Sequence, residues 1–273
     1  MKNIALLILF TLSLNAQDSQ PKPMKHEKGD VTIAAADAAD YYARKNINEL
    51  KKIQTSCINL VSEESFKKLI TDYIRGKSLL QAGRYTESRR MLEDNSAEIK
   101  TKTDEIIKYY REAAQKMGEE AGRLSVELSL QNNSGNDYLI PVINKNLKNS
   151  NEAIKMAEDM ILSSNQIEGL YYYKSAITSL VKAIYYYNKS DVRGLSGKQK
   201  AEKNILIDDD LLPKNYLKEY DDSRNLLHSE EEKKREKQRE YSRRVLGLNK
   251  KPQAATANEP KTEENKQQPA ETK

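Results

Sequence analysis

Few residues of this 273-residue sequence have types and spacings that could support catalysis. Its two histidines, His26 and His228, belong to no recognisable nucleophile elbow or paired-histidine metal motif. Paired carboxylates such as Glu119 and Glu120 are common on exposed helices, and the sequence contains no glycine-rich phosphate loop. We therefore expect no enzymatic activity and no cofactor.

An acidic triplet, Asp208, Asp209 and Asp210, offers the oxygen ligands that calcium prefers. A loop of the EF-hand kind alternates its ligands with a glycine and ends in glutamate, and residues 191–213 lack that pattern. We expect the triplet to cap or precede a helix that begins near Pro213, and we expect no metal site.

Two tyrosine triplets, at 171–173 and 185–187, are the remaining candidates for a site. Helical spacing of three and four places one ring of each triplet, Tyr173 and Tyr187, in an apolar seam. The seam comprises Leu170, Tyr173, Ile177, Leu180, Ile184 and Tyr187. Consecutive helical residues advance about 100°, so the other rings face elsewhere. These rings are the candidate interface residues Tyr171, Tyr172, Tyr185 and Tyr186, for which core packing, a partner interface and ligand binding all stay open.

The N-terminal stretch MKNIALLILFTLSLNAQ is typical of a secretory signal peptide that is cleaved after Ala16. Its apolar run is too short to span a bilayer, and no cysteine follows the cleavage site to carry a lipid anchor. We expect an exported, periplasmic protein with no integral membrane span after cleavage. Its single cysteine, Cys57, cannot form an internal disulfide and lies among apolar residues, so we expect it to be buried.

Composition favours long amphipathic helices, with 37% hydrophobic and 32% charged residues and only 10 glycines. Between the proline-bearing ends only Pro141 and Pro213 could interrupt a helix. The predicted fold is all-α and elongated, with long antiparallel helices that form bent, coiled-coil-like arms. Acidic and basic residues interleave along the chain, so its net charge of +5 does not predict nucleic-acid binding.

We expect a signal peptide over 1–16, a flexible leader over 17–29, a single helical domain over 30–249 and a disordered tail over 250–273. The predicted parts of the domain are a hairpin region over 30–94, arms over 95–190, a loop over 191–213 and a solvated or lightly docked charged helix over 214–249.

The predicted helices follow from capping signals and apolar periodicity. They run from Val31 to Val61, from Glu63 to Gln81, from a capping box at Asn95 and Glu98 to Leu130, and from Asp137 or Tyr138 onward after a turn over 131–137. Asn165 and Glu168 either cap a fresh helix or lie within a continuous one.

The stretch LLQAGRYTESRRML resembles the turn of a tetratricopeptide repeat, with Gly83, Tyr85 and Ser88 in the places of its glycine, aromatic and small residues. The resemblance covers residues 64–94 and occurs once, whereas repeat proteins need several units. It implies one tetratricopeptide-like hairpin, whose corner either only folds the chain or borders a peptide-binding groove.

The signal peptide without a lipid-anchoring cysteine, the lysine- and tyrosine-rich helices and the hairpin that leads into long arms together resemble the flagellar-coiling proteins of spirochaetes, over residues 30–249. That resemblance implies a bent helical protein of the periplasm that coats the endoflagellar core and helps to impose its curvature. Its partners would be other filament or envelope proteins, or further copies of this chain. The alternative is a periplasmic adaptor that uses the hairpin around Gly83 and Tyr85 to bind a peptide or an envelope protein.

Overall fold

The computed structural model describes residues 33–130 and 138–248, and every regular element in these residues is helical. The predicted all-α class is confirmed. The α-helices in chain order are α1 (Ile33–Ser56), α2 (Glu63–Gln81), α3 (Tyr85–Leu130), α4 (Leu139–Leu162), α5 (Gln166–Asp191), α6 (Gly197–Glu202), α7 (Leu217–Ser223) and α8 (His228–Val245). The predicted signal peptide, leader, turn over 131–137 and tail over 250–273 lie outside the described residues.

Shorter helical pieces flank two of these helices. A π-helical segment, Cys57–Val61, follows α1, so the helix that we predicted to Val61 changes its hydrogen-bonding pattern in its last turn. Cys57 is buried there, as predicted. Two 3₁₀ turns, Asp208–Leu211 and Lys214–Tyr216, precede α7.

Contacts divide the chain into two compact units. Among the described residues, the first unit contains 33–53 and 64–102, and the second contains 54–63, 103–130 and 138–248. The single elongated domain over 30–249 stays a prediction.

In the first unit, buried amide side chains connect three helices. Asn46 of α1 donates through Nδ2 to the carbonyl oxygen of Leu92 (2.7 Å) and to Oδ1 of Asn95 (3.0 Å), both in α3. Asn95 in turn donates to the carbonyl oxygen of Leu69 in α2 at 3.0 Å. The predicted helix start at Asn95 is therefore wrong, because α3 runs without a break from Tyr85 and the Asn95 amide bonds across to other helices.

In the second unit, α3, α4 and α5 pack through seams spaced by three and four residues. The predicted seam of α5 is confirmed, since all six of its members are buried. The matching seam of α3 consists of Ile106, Tyr110, Ala113, Met117, Ala121, Leu124 and Leu128. Arg111 bonds to Glu158 (2.7 Å), whereas Ser125, further along α3, bonds to Asn144 (2.8 Å), so α3 and α4 run antiparallel.

A short turn separates α4 from α5, and the Asn165 side chain caps α5 by accepting a hydrogen bond from the backbone N–H of Glu168. Of the two predicted alternatives, a fresh helix is the correct one. Just after the turn the helices approach closely, because a Cβ at Gly169 would lie 3.1 Å from the Ala157 carbonyl oxygen. The tight turn therefore starts the antiparallel α4–α5 pair.

The chain after Lys214 is not the single charged helix that the sequence predicts. It forms a 3₁₀ turn, then α7, then α8, with a break that includes Asn225 at a φ of 56°. Of the two predicted alternatives for this segment, α8 fits a lightly docked helix, because its single buried residue is Arg235, which is 1% exposed. Its guanidinium has acidic partners in α7 and in the preceding loop, so ion pairs anchor the helix.

Candidate functional site

The four candidate tyrosines lie on α5 and differ in exposure. Tyr171 is 64% exposed, whereas Tyr172, Tyr185 and Tyr186 are half-buried. The third ring of each triplet, Tyr173 or Tyr187, is buried in the seam. Because each triplet wraps around the helix, one ring packs inward while the others lie nearer the surface.

In the first triplet, Tyr171 and Tyr172 form an edge-to-face pair with ring centroids 5.6 Å apart and planes inclined by 74°. Beneath them, the Tyr173 hydroxyl donates to the Glu158 carboxylate, and Arg111 Nε donates to the Tyr173 oxygen at 3.3 Å. Burial, together with Glu158, raises the pKa of Tyr173 to about 12. The outer pair, Tyr171 and Tyr172, is therefore followed in α5 by a buried tyrosine, Tyr173, whose hydroxyl has hydrogen-bond partners within the chain.

In the second triplet, Tyr185 and Tyr186 form a similar pair, with ring centroids 5.4 Å apart. Here one of the two outer rings, that of Tyr185, has hydrogen-bond partners in this chain. The Tyr185 hydroxyl donates to Asp208 Oδ2 at 2.7 Å, and Lys189 Nζ donates to the Tyr185 oxygen at 3.3 Å. Burial and the Asp208 hydrogen bond raise the pKa of Tyr185. The four candidates are thus unequal, because the loop before α7 engages Tyr185, and Tyr171 with Tyr172 forms the more open pair.

The acidic triplet forms the first three residues of the 3₁₀ segment Asp208–Leu211 and precedes a second 3₁₀ turn, Lys214–Tyr216, whereas the α-helix that we expected near Pro213 begins at Leu217. Asp210 Oδ2 accepts hydrogen bonds from the backbone N–H groups of Leu206 (2.8 Å) and Ile207 (3.0 Å). The other Asp210 oxygen accepts from Arg239 Nε of α8 at 2.8 Å. These carboxylates are therefore occupied by donors of the protein.

Sequence reasoning missed a buried polar cluster in the second unit. We call it the aspartate cluster, and its members are Asn59, Tyr110, Lys174, Asp221, Asp222 and Arg235. The two carboxylates are 0% exposed and neighbours in α7, while their partners come from the π-helical segment, α3, α5 and α8. Buried charges require such partners, since an unpaired one is strongly destabilising.

Asp222 receives the donors on one side of the aspartate cluster. The Tyr110 hydroxyl donates to its Oδ2, Asn59 Nδ2 donates to its Oδ1 at 3.1 Å, and Lys174 Nζ lies 3.7 Å from Oδ2. Burial, reinforced by Asp222, raises the pKa of Tyr110 well above its ordinary value. Burial lowers the pKa of Lys174, and the Asp222 charge opposes that shift.

Asp221 receives the donors on the other side. Both terminal nitrogens of Arg235 donate to the Asp221 carboxylate, and Nη1 lies 2.8 Å from Oδ2. His228 Nδ1 lies 2.8 Å from the same oxygen. Hydrogen bonding to Asp221 is the largest cause of the raised pKa of Arg235. The same guanidinium reaches Asp209 at 3.0 Å, so one arginine connects α7, α8 and the preceding loop.

The local sequence carries little signal for this cluster. Asp221, Asp222 and Arg235 lie in a stretch where acidic and basic residues interleave, a pattern that is typical of solvated helices. Lys174 lies between Tyr173 and Ser175 and does not belong to the predicted apolar seam of α5. Burial of these four charges depends on contacts between distant segments, which helical periodicity does not encode.

The predicted hairpin corner is a close-packed turn between α2 and α3. Gly83 has a φ of 73°, and the Arg84 N–H donates to the Leu79 carbonyl oxygen at 2.9 Å, which ends α2. Ser88 is buried and donates to the Gly76 carbonyl oxygen at 2.8 Å, whereas Tyr85 is half-buried. The glycine and the small residue thus suit the turn and its packing, and the likeness to a tetratricopeptide repeat stays a prediction.

Two searches of the described residues complete the description of possible sites. In residues 33–130 and 138–248, no three His, Cys, Asp or Glu side chains are grouped so that they could hold a metal ion. None of the described helices has both the length and the apolar character needed to cross a membrane.

Comparison with known proteins gives no assignment: no protein-family model, curated protein or solved structure matches this chain.

Proposed function

We propose that this protein is an exported, non-enzymatic structural protein of the periplasm, a component of the periplasmic flagellar filament sheath that contributes to filament curvature and motility. The observation that carries the proposal is the open edge-to-face pair of Tyr171 and Tyr172 on α5. Tyrosine is enriched at interaction hot spots because its ring packs while its hydroxyl stays hydrated.

Tyr171 and Tyr172 are held on a rigid part of the molecule, which suits a contact that transmits force. Tyr173, next in the chain, is buried and bonded to Glu158, and α5 packs against α4 along their lengths. A contact made by Tyr171 and Tyr172 would therefore be transmitted to a helical framework and not to a loop. Repeated on one side of a filament, lateral contacts of this kind would shorten that side and bend it.

Substitution of both residues, Tyr171→Ala with Tyr172→Ala, tests the proposal. We expect helical content to stay near that of the wild type, because the seam residues of α5 are untouched, and association with flagellar filaments isolated from the native cell to be lost. A matched control is available in α1, where Tyr41 and Tyr42 form an edge-to-face pair with centroids 5.3 Å apart and Tyr41 is 60% exposed. Its double alanine variant should associate normally.

Two results would contradict the proposal. The first is a wild-type protein that fractionates wholly apart from the filaments, and the second is a folded Tyr171→Ala, Tyr172→Ala variant that co-purifies with them as fully as the wild type does. A loss of helical content in this variant would instead assign the pair to the core.

A further inference from the structure

Asn225 lies in the break between α7 and α8, where its backbone has a φ of 56°. A residue in this left-handed conformation commonly ends a helix, and here it closes α7. The Asn225 N–H donates to the Asp222 carbonyl oxygen at 2.8 Å, and the Leu226 N–H donates to the Asp221 carbonyl oxygen at 2.9 Å. The backbone that carries the Asn225 amide is therefore fixed by hydrogen bonds.

The Lys174 side chain of α5 lies against this amide, since its Nζ donates to Asn225 Oδ1 at 2.8 Å. Lys174 is 6% exposed, so its amine is removed from water. Burial lowers the pKa of Lys174, although the Asp222 charge opposes the shift, and the neutral amine is the nucleophilic form. A buried nucleophile is thus in contact with the amide group of Asn225.

Asp222 provides a proton acceptor next to Lys174. Its side chain is 0% exposed, and its Oδ2 lies 3.7 Å from Lys174 Nζ. The Tyr110 hydroxyl donates to Oδ2 and Asn59 Nδ2 donates to Oδ1 at 3.1 Å, so donors from two other segments hold the carboxylate in place. The hydrogen bond to a general base is often long before the reaction and shortens as it proceeds.

An amine, a primary amide and a carboxylate therefore meet at one place, and these are the three groups that an intramolecular transamidation needs. We propose that Lys174 and Asn225 become joined by an isopeptide bond between Nζ and Cγ, with Asp222 as the proton carrier. The reaction modifies the chain once and has no turnover. It does not rest on the proposed function, because none of its three groups belongs to the pair Tyr171 and Tyr172.

The reaction balances without a co-reactant. Asp222 takes one proton from the Lys174 ammonium group, and the neutral Nζ attacks Asn225 Cγ to form the new C–N bond. The bond between Cγ and Nδ2 then breaks, and its electron pair leaves with the nitrogen. That nitrogen receives one proton from Asp222 and one from Nζ, and it departs as ammonium. Because Asn225 is exposed, the ammonium is released directly into solvent.

The bond connects α5 to the break between α7 and α8. Its two residues are 51 positions apart in the chain. A covalent link over such a separation restricts the unfolded chain, as a disulfide does, and so raises the free energy of unfolding. It also replaces a buried ammonium group by a neutral amide, whose N–H is a donor next to the Asp222 carboxylate.

Mass spectrometry of the denatured full-length protein tests the proposal. After correction for the substitution, we expect the wild type to be lighter than its Lys174→Arg variant by the mass of one ammonia molecule. Arginine keeps a positive charge beside Asp222, but its guanidinium stays protonated and does not react. Trypsin should release from the wild type a branched peptide in which residues 156–182 are joined to the peptide that contains Asn225, because a linked Lys174 is no longer cleaved.

Two glycine variants form a matched pair, because glycine suits a positive φ. Asn225→Gly removes the amide that reacts and should show neither the ammonia loss nor the branched peptide. Asn204 also has a positive φ, of 58°, and is exposed, but Asn204→Gly should retain both. Folded Asp222→Asn should be unlinked, because it has no carboxylate to carry the proton. Circular dichroism checks that each variant keeps its helical content.

A folded wild type without the branched peptide overturns the inference. So does an ammonia loss that persists in Lys174→Arg without a branched peptide, since cyclisation of an asparagine to a succinimide would then be its source. A folded Asp222→Asn variant that is linked as fully as the wild type contradicts the role of Asp222.

Discussion

Arg235 of α8 and Asp221 of α7 form a two-pronged ion pair in which both side chains are buried, at 1% and 0% exposure. The same guanidinium also reaches Asp209, whose side chain is 41% exposed. Of the three carboxylates that Arg235 approaches, Asp221, Asp209 and Glu232, Asp221 is the fully buried one and accepts from both terminal nitrogens. Burial determines how much the loss of each contact should cost.

Asp221→Asn should lower the free energy of unfolding by about 3 kcal/mol or more, because it leaves the buried guanidinium without its main counter-charge. Asp209→Asn removes a contact to the same arginine at a partly exposed position, and should cost less than about 1 kcal/mol. Urea unfolding of the two variants measures the difference. Equal losses would contradict the dominant role of the buried pair.

Stability should decline above pH 10, and Tyr110 should contribute to that decline. Its folded-state pKa is raised, so its contribution is complete below the ordinary tyrosine pKa of about 10 and is lost as the pH rises further. Tyr110→Phe should cost about 1–3 kcal/mol at pH 8, because Asp222 loses a buried donor.

The difference in free energy of unfolding between the wild type and Tyr110→Phe should become smaller above pH 10, by up to about 1.4 kcal/mol per pH unit. The wild type loses stability there because Tyr110 ionises in the unfolded chain, whereas phenylalanine cannot ionise. Urea titrations at pH 8 and pH 11.5, on the wild type and on Tyr110→Phe, provide the comparison. A gap that stays constant between these pH values would show that the Tyr110 hydroxyl does not titrate differently in the folded state.

Gly76 allows α2 and α3 to approach closely. A Cβ there would lie 2.8 Å from Cγ and Cδ2 of the buried Leu92, so Gly76→Ala should cost about 1–3 kcal/mol through overpacking. Gly118 is also inside a helix but has open space where its Cβ would be, and Gly118→Ala should stabilise the protein by about 0.5–1 kcal/mol. Thermal unfolding of the two variants measures both effects. Melting temperatures that shift in the same direction would contradict the prediction.

The hydroxyl groups of Tyr173 and Tyr171 should contribute very differently to the free energy of unfolding. Tyr173→Phe deletes the hydrogen bonds with Glu158 and Arg111, and should cost about 1.5–3 kcal/mol because both partners are charged. Tyr171→Phe, at an exposed position, should change the free energy of unfolding by less than about 0.5 kcal/mol. Chemical unfolding followed by circular dichroism measures both. A larger effect at Tyr171 would place its hydroxyl, and not that of Tyr173, in the core.

Local and periodic signals predict much of the fold. The bounds of α2, the end of α3 at Leu130 and the six buried positions of the α5 seam agree with the structure. Each follows from neighbours within a few residues, through caps, glycines and spacings of three and four. The predicted helix start at Asn95 is wrong because the local capping pattern does not decide its side-chain contacts. Its amide instead forms hydrogen bonds with two other helices.

The tyrosine site was predictable only in part. Helical spacing separates Tyr173 and Tyr187 from the outer rings, but it cannot show that Tyr185 donates to Asp208, 23 residues away in the chain. The aspartate cluster was not predictable, because its charges lie in stretches that look solvated. Asn59 and Asp222, which meet there, are 163 residues apart.

The sequence by itself determined the helical class, the bounds of α2, the end of α3 and the inward-facing stripe of α5, because helix formation depends on residues one to four positions apart. Only the tertiary structure decided which charges are buried and which tyrosines stay open. A carboxylate such as Asp221 can be buried only where donors from other segments converge on it, and that convergence is a property of packing between helices.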